Sequence, residues 1–173
     1  MKKLTTKDIL FIAMFAALTA AFSQIVIPVG VIPLNLATLS VFLCGGLLKA
    51  ARGGASQLVY VLLGAAGLPV FAGFTGGFGR IVGPTGGFII GYIVAAAVIG
   101  LFVQRLPRKF WLFALAMLAG AVCYFTTGTL WYMCLYKASF ISALWLCVIP
   151  FIPGDIIKII LAAYLVKRLE RFV

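Results

Sequence analysis

Three ionisable residues stand where an apolar chain has least reason to carry charge. Asp155 and Lys158 fall inside a greasy run near the C-terminus, three positions apart, a spacing that puts both on one face of a helix. Arg80 sits in a glycine-dense stretch running from Gly67 to Pro84. A charge at membrane depth costs about 2.5–3.5 kcal/mol or more, so such residues are paired or functional. A carboxylate only accepts hydrogen bonds, whereas ammonium and guanidinium groups only donate them. The set can therefore grip a small polar solute at both of its ends. The plainer reading is a salt bridge that satisfies itself, with Asp155 also capping the helix that follows Pro153-Gly154.

Other chemistries lack their residues. The chain has no histidine, which excludes histidine-dependent triads and His-ligated zinc or haem. Asp155 is the one carboxylate within a span, Asp8 and Glu170 lying at the ends, so a two-carboxylate mechanism is excluded as well. A serine or threonine paired with Lys158 is the enzymatic arrangement left open. The glycines from 67 to 84 are not followed by the Gly-Lys-Ser/Thr of a phosphate cradle, nor does Gly77-Phe-Gly79 continue as a dinucleotide fingerprint. Cys44, Cys123, Cys134 and Cys147 show no CxxC spacing and read as small apolar residues. No metal or cofactor is expected.

The elements that position the charged set are transmembrane helices. Of the 173 residues, 65% are hydrophobic and 10% charged, against about 45–50% and about 25% in soluble domains. That much apolar surface needs lipid to cover it, and the length suits one domain, residues 1–173. The expected spans are Ile9 to Ile27, Leu34 to Leu48, Ala55 to Ala66, Thr85 to Val103, Phe110 to Cys134 and Gly154 to Arg168. A turn-rich loop, Pro28 to Pro33, follows the first, and a short helix at the outer surface is expected over Ser139 to Val148. Lys2, Lys3 and Lys7 before an apolar run resemble a signal peptide, but no cleavage site follows and more helices do, so the segment reads as a retained first span.

The net charge of +11 follows the positive-inside rule rather than pointing to nucleic acid. Lys2, Lys3, Lys7, Lys49, Arg52, Arg105, Arg108, Lys109, Lys167, Arg168 and Arg171, eleven of the fourteen basic residues, fall on one side of a six-span layout. Arg80 and Lys137 fall on the other. Both termini are thus expected in the cytoplasm, with the glycine-rich loop between the third and fourth spans outside. Lys167 should mark the inner interface, roughly 13 Å along the helix from Lys158 at about 1.5 Å per residue, so Asp155 and Lys158 belong to the outer half of the membrane. They would form the floor of an outward-facing pocket with the loop as its lid. Phe71, Phe74, Phe78 and Phe88 would supply apolar walls.

Ala13, Ala17 and Ala21 recur every four residues in the first span, with Ala16 and Ala20 as a parallel row. Small residues at this spacing let helices approach closely in lipid. They serve either packing within the chain or docking of another membrane subunit.

Gly67-Leu-Pro-Val-Phe-Ala-Gly, Gly83-Pro-Thr-Gly-Gly-Phe88 with Gly91-Tyr92, and Pro153-Gly-Asp-Ile-Ile-Lys158 resemble the BioY family along essentially the whole chain, with weaker echoes at Ser56-Gln57-Leu58 and Ile32-Pro33-Leu34. That family is the biotin-specific substrate-binding subunit of energy-coupling-factor (ECF) transporters. The resemblance implies an all-α integral membrane protein of six helices in the cell membrane. It also implies a biotin pocket near the outer face, and docking through small residues of the first helix onto a membrane coupling subunit that carries two ATPases. Asp155 and Lys158 match the family's polar pair. Thr75 stands where the family often has Asn or Arg, Ala37 where it often has Gln, and Arg80 lies outside the matched pattern. The expected substrate-binding set is Asp155, Lys158, Thr75, Arg80, Tyr92 and Phe74, and the docking set is Ala13, Ala17 and Ala21. Asp155 could accept from the ureido N–H groups of biotin, while Lys158 or Arg80 meets an oxygen or the carboxylate. Capture of a different vitamin is the alternative within the same class.

Overall fold

The first helix opens with a capping box. Thr5 accepts from the Asp8 amide (3.3 Å) while its own N–H donates to Asp8 Oδ2 (3.0 Å), satisfying two of the donors a helix start leaves over. A computed structural model of the chain describes residues 5–27 and 32–171; Lys2, Lys3 and most of the Pro28 to Pro33 loop lie outside the described residues. Helix α1 is Thr6–Ser23, ending before the expected Ile27. Its last expected residues form a short strand instead, β1 Val26–Ile27, antiparallel to β2 Leu34–Asn35 with Val26 opposite Asn35. The β-branched Ile25-Val-Ile run favours strand, and Pro28 disfavours helix in the residue before it.

The next helical run, Ala37–Ala65, is broken at Lys49 (φ 69°, ψ 179°). The break reverses the chain. Cys44 Sγ lies 3.5 Å from the carbonyl of Gly53, and a Cβ on Gly53 would stand 3.3 Å from Gly45 Cα. Eight residues of straight helix would separate those points by about 12 Å. The run is thus two antiparallel helices, α2 (37–48) and α3 (50–65), lying where two spans were expected and joined by a tight turn. Gly100 makes the turn possible, because a side chain there would run into the backbone of Lys49 and Ala50. Arg52, just past the turn, pairs with Asp8 at 2.7 Å and ties the hairpin to the start of α1.

After α3 come a short helix α4 (Phe78–Val82) inside the glycine-rich loop, then α5 (Gly86–Arg105), α6 (Phe110–Tyr136) and α7 (Phe140–Cys147). A 3-10 turn at Ile149–Phe151 leads into α8 (Ile152–Leu169). Among the described residues, four stretches are long and apolar enough to cross a membrane: Thr6–Ser23, Gly86–Arg105, Phe110–Tyr136 and Phe140–Leu169. The chain is a multi-pass membrane protein. Large apolar residues such as Leu10, Trp111, Ile157 and Ile160 face outward, as lipid-facing helices require.

Close helix approach builds the interior. Gly91 backs onto Tyr124 and Thr127, and the ring of Phe88 fills the space over Gly128, so α5 and α6 meet with little between their backbones. Helix α1 is stapled to the hairpin by buried hydroxyls. Thr19 and Ser40 lie 2.9 Å apart, Gln57 Nε2 donates to Thr19 Oγ1 (3.1 Å), and Ser56 Oγ donates to the Ile12 carbonyl (2.9 Å). Ala16 is buried against the hairpin and Ala20 is half-buried, whereas Ala13, Ala17 and Ala21 are exposed. The two alanine rows therefore do different things: one packs inside the chain, and the other forms an open, shallow face.

Candidate functional site

The first turns of α8 carry Asp155 and Lys158, preceded by Pro150 and Pro153 that fix where the helix begins. An acid in a helix's first turn is favoured by the positive end of its dipole. Both side chains are almost completely buried, and Lys158 Nζ lies 2.7 Å from Asp155 Oδ1. Two further groups complete the ammonium's surroundings. Nζ donates to Thr38 Oγ1 at 2.7 Å and to the Asn35 carbonyl at 2.9 Å. An ammonium has three N–H groups, and all three are used.

Thr38 is held from two directions. Its oxygen accepts from Lys158, and its hydroxyl proton points to Asp155 Oδ1 at 3.3 Å. Asn35 is pinned by its strand pairing with Val26 and by its own side chain, whose Oδ1 accepts from the Ala37 amide (3.1 Å). Its carbonyl is thereby left to face the ammonium. One atom of the cluster has no partner: Asp155 Oδ2 is buried and makes no hydrogen bond among the described residues. Leaving a buried charged acceptor unmet costs several kcal/mol, so this oxygen is positioned for a donor that the protein does not supply.

That donor would come from a cavity holding about 120 Å³ accessible to water, with Asp155, Lys158, Thr38 and Asn35 at its floor. Its walls are rings. Tyr60, Phe71, Phe88, Tyr92 and Tyr124 all line it. Phe71 stands edge-on to Tyr60 at 5.5 Å, and Tyr124 stands edge-on to both Tyr92 (6.1 Å) and Phe88 (6.3 Å). Thr75, Arg80, Pro84 and Thr85 reach the cavity from the loop side. Arg80 is exposed and its side chain makes no hydrogen bond or ion pair among the described residues, so its guanidinium is free to meet an anion at the mouth. A mostly apolar concavity with a few converging polar groups is what small-molecule sites look like.

The glycine-rich loop covers this cavity and is tied down. Phe71 and Thr75 exchange backbone hydrogen bonds (2.9 and 3.3 Å), and the Gly77 amide donates to the Gly64 carbonyl at 2.7 Å. Gln24, at the end of α1, accepts from the Phe74 amide (2.8 Å) and donates to the Val70 carbonyl (3.2 Å), which Ser23 also reaches. Trp131 of α6 donates to the Gly83 carbonyl at 3.0 Å.

Of the residues named from the sequence, Asp155, Lys158, Thr75, Arg80 and Tyr92 line this one cavity. Phe74 does not. It takes a positive φ of 54° at the turn closed by the Phe71–Thr75 pair, which sends its side chain outward, 73% exposed. Phe78 is likewise exposed, so of the four phenylalanines expected to wall the cavity only Phe71 and Phe88 line it. Thr75 lines the cavity, but its hydroxyl donates to the Ala72 carbonyl (3.0 Å) and helps hold the loop's shape. Asn35, Thr38, Tyr60 and Tyr124 were not singled out by sequence reasoning. A signal existed for Thr38 and Asn35, two polar residues among the leucines at the head of the second expected span.

The serine- or threonine-lysine dyad finds its partner but not its geometry. Lys158 donates to Thr38 Oγ1, and the threonine's own proton points to Asp155 Oδ1, the reverse of an amine taking the hydroxyl proton. Among the described residues no group of three or more His, Cys, Asp or Glu side chains is placed to hold a metal.

Fold and site together define a membrane protein that holds a small solute in a half-enclosed cavity. Comparison with known proteins gives the particular lineage. The family model described as BioY family matches residues 1–173. The chain is 37% identical to the probable biotin transporter BioY of Pyrococcus horikoshii, over 95% of this chain and 96% of that protein. It is 37% identical to the biotin transporter BioY of Thermotoga maritima, over 91% and 92%. A crystal structure of the S-component for biotin from an ECF-type ABC transporter superposes with a TM-score of 0.91 at 27% identity, covering 99% of this chain and 96% of that one. The chain belongs to the BioY family.

The buried pair generates a stability prediction. Lys158→Met leaves Asp155 buried without its partner, and removing one partner of a buried pair costs about 3–5 kcal/mol. Thermal unfolding in detergent should fall sharply for Lys158→Met and recover most of the loss in Asp155→Leu/Lys158→Met. Equal losses for the single and double variants would show that the pair does not act as a unit.

Proposed function

We propose that this chain captures biotin from outside the cell as the substrate-specific component of an ATP-driven ECF-type importer, and that it is not an enzyme. One observation carries the reading: Asp155, whose Oδ2 is buried without a hydrogen-bond partner among the described residues, lines an aromatic cavity beside an ammonium whose donors are spent. The floor therefore asks for an N–H donor rather than an anion. Biotin's ureido ring has two N–H groups, one of which Asp155 Oδ2 accepts. Lys158 orients the carboxylate. The apolar bicycle and tail lie among Tyr60, Phe71, Phe88, Tyr92 and Tyr124, which is favourable at about 25 cal/mol per Å² of apolar area removed from water. Arg80, free at the mouth, pairs with the tail carboxylate. The family membership and the biotin-binding structural neighbour support this choice over another vitamin.

In the membrane, α1, α2, α3, α5, α6 and α8 are the six spans, with both termini in the cytoplasm and the cavity and loop 67–84 facing outward. The charge pattern supports this orientation, since the α2–α3 turn carries Lys49 and Arg52 and the α5–α6 connector carries Arg105, Arg108 and Lys109. The loop opens to admit biotin and closes over it. The open Ala13, Ala17 and Ala21 face of α1 docks onto a membrane coupling subunit that carries two ATPases, which supply the energy this chain cannot. The membrane concerned is the cell membrane.

Asp155→Asn keeps the shape of the side chain and removes its charge. Biotin affinity of the purified protein, measured with radiolabelled ligand, should fall at least tenfold, about 1.4 kcal/mol. Unchanged affinity in a folded variant would reduce Asp155 to a structural partner, and a wild-type protein that binds no biotin at micromolar concentration would remove the biotin reading. Ala17→Leu places a large side chain on the open face of α1. Co-purification with the coupling subunit should be lost while biotin binding survives; retained co-purification would place the docking face elsewhere.

A further inference from the structure

At the far end of α8 from the cavity, the basic residues do more than crowd one side of the membrane. Tyr164, Lys167 and Arg168 of α8, Arg171 just past its end, and Phe110 at the start of α6 line a second, open cavity. The Arg168 guanidinium lies over the Tyr164 ring at 5.2 Å, which fixes its plane and leaves its N–H edge open. Glu170, the acid in this corner, is drawn away to Arg108 at 3.6 Å. Lys167 and Arg168 meet no hydrogen-bond acceptor or carboxylate among the described residues. Trp111, next to Phe110 and 78% exposed, sits as an aromatic residue of the interfacial belt does. The positive-inside rule accounts for the number of cations at this end, but not for their convergence around one hollow floored by rings.

We infer that this cavity is a binding site for the headgroup of an anionic phospholipid. The phosphate oxygens take the Arg168 and Lys167 donors, and the acyl chains run down the outer faces of Phe110 and Trp111 into the bilayer. Basic pockets between spanning helices are where such headgroups bind. The inference rests on the chain's place in a membrane and is independent of the ligand held in the other cavity.

Native mass spectrometry of the purified full chain, titrated with palmitoyl-oleoyl phosphatidylglycerol or the matching phosphatidylcholine, tests it. Phosphatidylglycerol should be retained at least tenfold more tightly than phosphatidylcholine. Lys167→Gln/Arg168→Gln should abolish that preference while leaving biotin binding as it was. Arg105→Gln/Lys109→Gln removes the same charge outside the cavity and should keep the preference. Inorganic phosphate and glycerol phosphate at millimolar concentration should not displace the lipid. Equal retention of the two lipids, equal loss in both double variants, or displacement by free phosphate would each overturn the lipid site. The first result would mean no selectivity, the second diffuse charge, and the third a site for a soluble anion.

Discussion

A carboxylate and an ammonium buried together in a membrane protein must be matched to each other and to every neighbouring dipole, because water is not there to make up a deficit. Much of this molecule's architecture follows from meeting that condition at Asp155 and Lys158. Helix α8 brings the two side chains to one face. The β1–β2 pair holds Asn35 so that its carbonyl faces Nζ, and the first turn of α2 supplies Thr38, which can accept from the ammonium and donate to the carboxylate at once. Two segments distant in sequence, 35–38 and 155–158, are thus drawn to one point. Among the described residues the cluster is satisfied except at a single oxygen, Asp155 Oδ2, and Asp155 lines the cavity.

The helices reach that point because small residues let them. Gly100 makes room for the Lys49 turn, which folds α2 back on α3, and Gly91 and Gly128 bring α5 and α6 close enough for Tyr92, Tyr124 and Phe88 to share a wall. In lipid there is little hydrophobic gain in bringing two apolar helices together, so close van der Waals contact and buried hydrogen bonds must do it. The Thr19, Ser40, Ser56 and Gln57 set on the inner face of α1 serves that purpose, and it leaves the Ala13, Ala17 and Ala21 row on the outside.

The charged groups were legible in the sequence because a charge in an apolar run is costly and therefore visible. Asp155, Lys158 and Arg80 all reach the cavity. Helix positions were legible for the same reason, being long runs with few breaks. Less legible were features that depend on where a backbone points. Phe74 and Phe71 are the same residue type three positions apart in one loop, yet a hydrogen-bonded turn sends one outward and buries the other. The Asn35 carbonyl is a backbone group that any residue would carry, and only the strand pairing aims it. Tyr60 and Tyr124 lie on helices whose rotation is set by packing at glycines elsewhere, so nothing local marks them as cavity residues.

A structure of the wild-type chain with biotin bound measures directly which end of the ligand the carboxylate meets. The expected result is a ureido nitrogen about 2.7–3.2 Å from Asp155 Oδ2, the Lys158 contacts to Asp155, Thr38 and Asn35 preserved, and the tail carboxylate against Arg80. A ligand turned the other way, with its carboxylate on Lys158 and its ureido ring at Arg80, would contradict the claim that the open carboxylate oxygen is the recognition point.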